Sequence, residues 1–302
     1  KCMSSAAILS IHLIAPHAIY KHGNEEQKQK FLPKLTKGGS LGAFALTEPN
    51  AGSDAGSAKT TAIFDPETNE YVLIGTQCFI SGGSRAEVLI VFALTQPEKG
   101  LKGMSAIIVE KGTPGFSIGK VESKMGLAGS ETAELIFEDC RVPASNLLGK
   151  EGQGFKIAMQ ALDGARIGTG AQAVGVAQGA LELSVKYTKE RIQFGKPIGA
   201  LQGIQWYIAD MATKTEAAQS LVYKAAYLKD AGKPHTTEAA MCKLNAAENA
   251  RFVTNLALQI HGGYGYMKDY PLERMYRDAK ITEIYEGTSE IHKVVIARAV
   301  MK

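Results

Sequence analysis

The run Val142-Pro143-Ala144-Ser145-Asn146-Leu147-Leu148-Gly149-Lys150-Glu151-Gly152-Gln153-Gly154 separates two kinds of sequence. Before it, from about residue 41 to 147, short runs rich in Val, Ile and Phe alternate with Gly, Pro, Asn and Asp. Lys59–Phe64 and Tyr71–Ile74 flank a turn at Asp65–Asn69, and Val88–Leu94, Ser105–Val109, Phe116–Val121 and Ala133–Phe137 follow. Short strands at this spacing predict a compact β-sandwich or barrel, closed by Pro143 and Gly149. After it, the apolar period becomes helical and stays so. Gly154–Glu190, Leu201–Asp230 and Thr236–His261 read as long helices, followed by Leu272–Asp278 and Thr288–Val300. Long helices with a short connector predict an up-and-down bundle.

Upstream, residues 2–37 read as two helices broken at His22-Gly23-Asn24, with Asn24 as N-cap and Glu25 and Glu26 in the favourable first turn. Helices, then strands, then helices is α+β segregation, not alternating βαβ units. No GxGxxG follows a strand, which argues against a Rossmann nucleotide site. The first long bundle helix carries Gly164, Gly168, Gly170, Gly175 and Gly179. Each costs about 1 kcal/mol against alanine inside a helix, so close packing is the expected reason for them. The predicted division is 1–40 for the remainder of an N-terminal helical domain, 41–147 for a middle β-domain and 148–302 for a C-terminal bundle.

Composition fits this reading. The chain has 302 residues, 45% hydrophobic and 21% charged, with a net charge of +4 that is dispersed and argues against a nucleic-acid footprint. Cys2, Cys78, Cys140 and Cys242 lie far apart, so there is no CxxC pair and reduced thiols are expected. No run of eighteen apolar residues appears, so no membrane span is expected. Lys1–Ala15 mimics a signal peptide, but His12 and the helical pattern through Ile14 and Ile19 fit an amphipathic or buried helix better. The start at Lys1, without an initiator Met, reads as a fragment with its N-terminal domain truncated.

The histidines do not suggest a metal site. His12, His17 and His22 are five apart, off the i, i+4 face, and His261 and His292 lack acidic or Cys neighbours at ligand spacing. GxSxG, SxxK and HExxH are absent. Four loops draw attention instead. Thr47–Asp54 is rich in hydroxyls and backbone N–H groups, and Gln259–Gly265 ends a helix on paired glycines where backbone approaches a pyrophosphate closely. Arg191–Pro197 offers a guanidinium and an aromatic face, and Glu286 precedes a glycine and an N-cap threonine on a short pinned loop. A carboxylate on a rigid frame is aimed by that frame, as a catalytic base requires.

Taken together, these stretches resemble the acyl-CoA dehydrogenase family of flavoproteins. The motifs are Leu46-Thr47-Glu48-Pro49-x-Ala51-Gly52-Ser53-Asp54, Phe79-Ile80-Ser81, Phe137–Pro143, Arg191-x-Gln193-Phe194-Gly195-Lys196-Pro197, Gln259-x-x-Gly262-Gly263-x-Gly265 and Tyr285-Glu286-Gly287-Thr288-Ser289-Glu290, in family order over essentially the whole chain. The likeness is greatest to bacterial short-chain (butyryl-CoA) dehydrogenases. It implies an N-terminal helical domain, a middle β-domain and a C-terminal four-helix bundle, with FAD between the last two. It also implies oxidation of a short-chain acyl-CoA to a trans-2-enoyl-CoA, with Glu286 taking the α-proton and the β-hydrogen passing to flavin N5.

The resemblance extends to individual residues. Phe44, Leu46, Thr47 and Ser53 match the segment along the isoalloxazine, with Ser53 also near the CoA pantetheine. Phe79 matches the aromatic that stacks on the flavin, usually Trp, and Ser81 the hydroxyl that bonds it, usually Thr. Arg191, Gln193, Phe194, Gln202, Gln259, Gly262 and Gly263 resemble the groups that hold the ADP half, and Thr288 and Glu290 those beside the pyrophosphate and adenosine. Asp163 and Arg166 match a DxxR pair beside the substrate, Arg298 matches a CoA-side arginine, and Gly287 lets the backbone approach the thioester. A solvated carboxylate of pKa about 4.3 is too weak a base for an α-proton, so burial and hydrogen bonds to the thioester oxygen are expected to close the gap.

Ala128 replaces a usual arginine, Gln77 a common lysine, and Gly82-Gly83 a Thr-Asn-like pair. An isovaleryl-type branch carries its base on the helix beside DxxR; here that position is Ala165 and the loop keeps Glu286, which favours straight-chain substrates. The implied partners are an acyl-CoA substrate, an electron-transferring flavoprotein and further copies of the chain in a homotetramer. The implied setting is the bacterial cytoplasm, or the mitochondrial matrix in a eukaryote. Other readings stay open: an enoyl-CoA reductase subunit of an electron-bifurcating complex, an acyl-CoA oxidase, or a non-catalytic truncated scaffold subunit.

Overall fold

The computed structural model describes residues 2–302; Lys1, where the first expected domain begins, lies outside the described residues. The chain forms two compact units. One comprises the residues up to Ala7, Lys124–Leu127 and Asp163–Lys302; the other comprises Ile8–Ser123 and Ala128–Leu162.

The β unit opens with helices α1 (Met3–His22) and α2 (Glu25–Thr36). Helix α2 starts at Asn24 as predicted, through a reciprocal capping box. Asn24 Oδ1 accepts the Gln27 N–H at 2.8 Å and Gln27 Oε1 accepts the Asn24 N–H at 3.2 Å. The Gln27 amide also donates to the carbonyls of Ser145 and Leu147, both at 2.8 Å, tying the helix start to that turn. By length and composition α1 is apolar enough to cross a membrane. In this fold Ala15, Ala18 and Ile19 pack with Phe31 and Leu35 against the sheet, as expected of a buried helix. His12 Nδ1 accepts the Gly42 N–H at 3.0 Å and its Nε2 lies 3.0 Å from the Leu35 carbonyl, which fixes a neutral tautomer protonated at Nε2.

One sheet carries β1 (Leu41–Ala45), β2 (Thr61–Asp65), β3 (Glu70–Ser81), β4 (Ala86–Leu94), β5 (Met104–Glu110), β6 (Phe116–Val121), β7 (Thr132–Pro143) and β8 (Leu147–Leu148). The spatial order is β6-β7-β3-β2-β4-β5-β8, with β1 parallel to β4. Alternate residues of β4 serve two cores. Val88, Ile90, Phe92 and Leu94 meet the helices. Leu89, Val91 and Ala93 meet Leu73 and Ile80 of β3 and Leu135 and Phe137 of β7, so the sheet curls around them. Strands β3 and β7 run well beyond the predicted Tyr71–Ile74 and Ala133–Phe137. Their ladder shifts register between Leu73 and Gly75 and again between Gln77 and Ile80. Such bulges interrupt the period-two pattern without ending the pairing.

The helical unit contains α3 (Gly154–Glu190) from Asp163 onward, a hairpin of β9 (Ile192–Gln193) and β10 (Lys196–Pro197), α4 (Gln202–Asp230), α5 (Thr236–His261), α6 (Leu272–Ala279) and α7 (Ser289–Val300). Helix α5 packs against α4, α6 and α7 through a small-residue face that buries Ala239, Ala240, Ala246, Ala247 and Ala250. The packing role expected of the α3 glycines holds at Gly170, where a Cβ would stand 3.0 Å from Val222 and 3.5 Å from the Cys242 sulfur. It fails at Gly175, which faces open space. Met125-Gly126-Leu127 docks on α6: Leu127 donates its N–H to Asp278 Oδ1 at 2.6 Å, and Arg277 donates to the Met125 carbonyl at 2.7 Å. The order helices, sheet, helices is the predicted α+β architecture, with a helical N-terminal part, a middle β-domain and a C-terminal bundle.

Candidate active site

Glu286 sits where the chain turns from α6 into α7. Thr288 caps α7, its hydroxyl accepting the Ile291 N–H at 3.4 Å. Immediately before the cap, Glu286 has φ +56° and Gly287 φ +99°. The left-handed region costs a non-glycine residue about 1–2 kcal/mol, so neighbouring groups must hold the loop. Two helices supply them. From α3, Arg166 Nε donates to the Glu286 carbonyl at 3.3 Å; from α5, Lys243 Nζ donates to the Gly287 carbonyl at 2.6 Å. The Tyr285 hydroxyl donates to Gln172 Oε1 on α3 at 2.8 Å. Arg166 is anchored in turn by Asp163 at 2.8 Å, and Asp163 Oδ2 accepts the Thr236 hydroxyl at 2.6 Å. The predicted Asp163, Arg166, Glu286 and Gly287 are thus one connected network. Behind them lies His292 of α7, wholly buried, with neither ring nitrogen hydrogen-bonded.

Burial dominates the electrostatics. Loss of solvent pushes the Glu286 carboxyl up to about 7, against the opposing pull of Arg166 and Lys243. Loss of solvent also brings Lys243 down to about 8, partly offset by Glu286. His292 falls to about 3 through burial and then through Lys243 and Arg166, so its ring is neutral. A carboxyl poised near neutrality can both take and give a proton.

The other predicted residues fall in two sets. In the β unit, the Gln77–Ile80 bulge turns Phe79 out of the ladder at φ +58°, leaving its side chain 64% exposed. The same bulge frees the Cys78 N–H to donate to the Thr47 carbonyl at 2.9 Å, which ties the 47–54 loop to β3. That loop closes on itself through paired bonds between Glu48 and Ala51, and Glu48 accepts the N–H groups of Lys59 at 2.7 Å and Thr60 at 2.8 Å. Leu46 is buried, Thr47 and Ser81 are half-buried and Ser53 is exposed. Phe44 packs on Phe92 at 4.7 Å between ring centroids. Gln77 is fully buried and donates to the Phe92 carbonyl at 2.9 Å.

In the helical unit, Phe194 forms the tip of the β9–β10 hairpin with φ +52° and 89% exposure, beside exposed Gln193. The Arg191 guanidinium lies 5.4 Å from the ring centre of Tyr264, which places it next to the exposed Gly262 and Gly263 and the α5 end at Gln259. Gln202 starts α4 on its exposed side. Thr288 and Glu290 line a polar cleft of about 430 Å³ together with Arg251, Lys293 and Ser289. Arg298 is exposed near the end of α7, about 15 Å along the helix from Thr288 at 1.5 Å per residue, and is not part of the Glu286 network.

Sequence reading missed Lys243, His292 and the Tyr285–Gln172 bond. A signal was available for Lys243, which falls on the buried small-residue face of α5 between Ala239, Ala240, Ala246 and Ala247. A lysine there has no route to water.

Comparison with known proteins agrees with this geometry. The acyl-CoA dehydrogenase N-terminal, middle and C-terminal domain models match residues 1–39, 43–140 and 152–301. The chain belongs to the acyl-CoA dehydrogenase family, whose members are FAD-dependent oxidoreductases. It is 84% identical over 302 residues to the acryloyl-CoA reductase (NADH) of Anaerotignum propionicum, spanning all of this chain and 77% of that protein. It superposes on butyryl-CoA dehydrogenase from Megasphaera elsdenii with a TM-score of 0.98 at 50% identity, covering 99% of this chain and 78% of that one. A second structure, described under "Electron transferring flavoprotein of Acidaminococcus fermentans: Towards a mechanism of flavin-based electron bifurcation", matches with a TM-score of 0.97 at 53% identity, covering 99% and 78%.

The residues present fit FAD. Phe79 is an outward aromatic face held by a bulge. Gly262, at φ +56°, has open space where a Cβ would stand. Ser289 Oγ, lining the cleft of Thr288 and Glu290, is buried without a partner.

Proposed function

We propose that this chain oxidises a short-chain acyl-CoA thioester to its trans-2-enoyl-CoA, with Glu286 moving the α-proton. The observation that carries this reading is Glu286 itself, a loop carboxyl raised to about 7 by burial and fixed in a left-handed backbone by Arg166 and Lys243. Bound FAD supplies the two-electron acceptor for the β-hydrogen.

Phe44, Leu46, Thr47, Ser53, Phe79 and Ser81 would hold its ring side. Arg191, Gln193, Phe194, Gln202, Gln259, Gly262, Gly263, Thr288 and Glu290 would hold its phosphate and adenosine side. Asp163, Arg166 and Gly287 shape the substrate side, with Ser53 and Arg298 toward the CoA. Ionised Glu286 takes the α-proton, its half-buried carboxylate stabilised by the nearby cations. Electrons leave to an electron-transferring flavoprotein, and the assembly is a homotetramer. The test is anaerobic addition of butyryl-CoA to the FAD-loaded chain. Bleaching of the flavin is expected; an unbleached flavin with both butyryl- and propionyl-CoA sinks the reading.

The relative named acryloyl-CoA reductase (NADH), at 84% identity, favours a second reading in which the same site runs in reverse. Protonated Glu286 then delivers its proton to the α-carbon of a short enoyl-CoA, whose β-carbon would take its hydride from bound reduced FAD. The two readings separate by the steady-state rates of butyryl-CoA oxidation and of acryloyl-CoA reduction, measured with an electron-transferring flavoprotein.

A further inference from the structure

Lys243 is the only completely buried lysine among the described residues. Burying an ammonium is expensive unless a carboxylate pairs with it, yet among the described residues none lies within ion-pair distance. Its one short contact is the 2.6 Å bond to the Gly287 carbonyl.

The surrounding charges give that position a purpose. Arg166 of α3 holds the neighbouring carbonyl of Glu286, but its charge is offset by Asp163 at 2.8 Å. His292 of α7 is neutral. Glu283, before the loop, is taken up by Arg251 at 2.8 Å and by Lys280. Glu290 is exposed at the start of α7. Lys243 of α5 is therefore the cation facing the loop that no carboxylate ion-pairs, and it acts on Glu286 alongside the Asp163-paired Arg166.

We propose that Lys243 is a positioning residue and counter-charge of Glu286: its ammonium clamps the Gly287 carbonyl, helps to hold Glu286 in its left-handed conformation, and lowers the pH at which the half-buried carboxylate ionises. This rests on the assignment of Glu286 as the proton-transfer group. A hydrogen bond alone would need only a neutral donor at this place; an ammonium also lets an ionised carboxylate exist away from water.

The test compares FAD-loaded wild type, Lys243→Gln and Lys243→Arg by the pH dependence of flavin bleaching with butyryl-CoA. Gln keeps a donor and removes the charge; Arg keeps the charge and changes the shape. Removing an opposite charge at close range moves a carboxyl by about one pH unit or more. The midpoint of Lys243→Gln is therefore expected to rise by about that much, while that of Lys243→Arg stays at the wild-type position even if turnover falls. A wild-type midpoint in Lys243→Gln overturns the proposal.

Should Lys243→Gln not fold, Glu286→Gln supplies the reciprocal measurement. With its counter-ion gone, the Lys243 ammonium, followed by nitrogen NMR, should titrate about one unit lower than in wild type; an unshifted titration overturns the proposal. Full turnover in Glu286→Gln would instead refute the assignment of Glu286. A dead Glu286→Gln with unshifted Lys243 refutes only the counter-charge.

Discussion

The amide of Cys78 donates to the carbonyl of Thr47 at 2.9 Å, joining the loop after β1 to the bulge of β3 at the point where Phe79 turns outward. A phenylalanine held left-handed and 64% exposed contributes little to the core. Under the proposed function its value lies in the flavin it would stack on. Phe79→Ala should therefore weaken FAD binding about tenfold, from the loss of roughly 1 kcal/mol of aromatic contact. The apo protein should unfold within about 0.5 kcal/mol of wild type. Cofactor fluorescence titration and urea unfolding check the two halves separately.

The same loop depends on Glu48, whose buried carboxylate accepts the amides of Lys59 and Thr60. Hydrogen bonds to a charged acceptor contribute about 1.5–3 kcal/mol each. Glu48→Ala should cost about 3 kcal/mol in urea unfolding, and the Lys59 and Thr60 amides should exchange hydrogen faster than their neighbours. Unchanged exchange would mean that another group holds the loop.

For Glu286 the sign of the pH dependence follows from the direction of the reaction. Its carboxyl titrates at about 7. Dehydrogenation needs it ionised, so that rate should rise as pH increases through about 7; enoyl-CoA reduction needs it protonated, so that rate should fall over the same interval. Glu286→Gln should abolish both limbs and cut turnover by about 10²–10⁴ while FAD stays bound. Initial rates in both directions between pH 5.5 and pH 8.5, roughly spanning one carboxyl titration, provide the check.

How much of this the sequence revealed depended on whether the signal was local. The helix Thr236–His261 has the same bounds in the structure because its apolar period and starting residue lie within it and the glycines that end it follow immediately. Strand β1, Leu41–Ala45, falls inside the predicted β zone but is not among the strands the sequence delimits: Leu-Gly-Ala-Phe-Ala carries little strand preference, and its form comes from pairing with β4. Glu286 and the Asp163–Arg166 pair were legible from their motifs. The left-handed backbones of Phe79, Phe194 and Glu286 were not, because residue type gives no hint of them. The burial of Lys243 is signalled by the small-residue face of α5 on which it falls; its bond to the Gly287 carbonyl is not, because that loop lies far along the chain.

His292 gives the protein a specific weakness in acid. Its ring is fully buried with no well-aligned hydrogen bond at either nitrogen, and burial brings it down to about 3 in the fold against 6.5 as the ordinary value. A lowered folded value means that the unfolded chain binds the proton first. The contribution of this group is therefore intact above about 6.5 and is lost as pH falls from there toward 3. At about 1.4 kcal/mol per unit, acidification from pH 6.5 to 5 removes up to about 2 kcal/mol. His292→Leu gives up only poorly aligned contacts of the ring with the Glu286–Gly287 backbone and fills a similar volume, so at pH 7 it should unfold within about 1.5 kcal/mol of wild type. Between pH 7 and pH 5, roughly across the histidine titration, its urea midpoint should fall less than that of wild type. Equal losses in the two proteins would show that other groups govern the acid response.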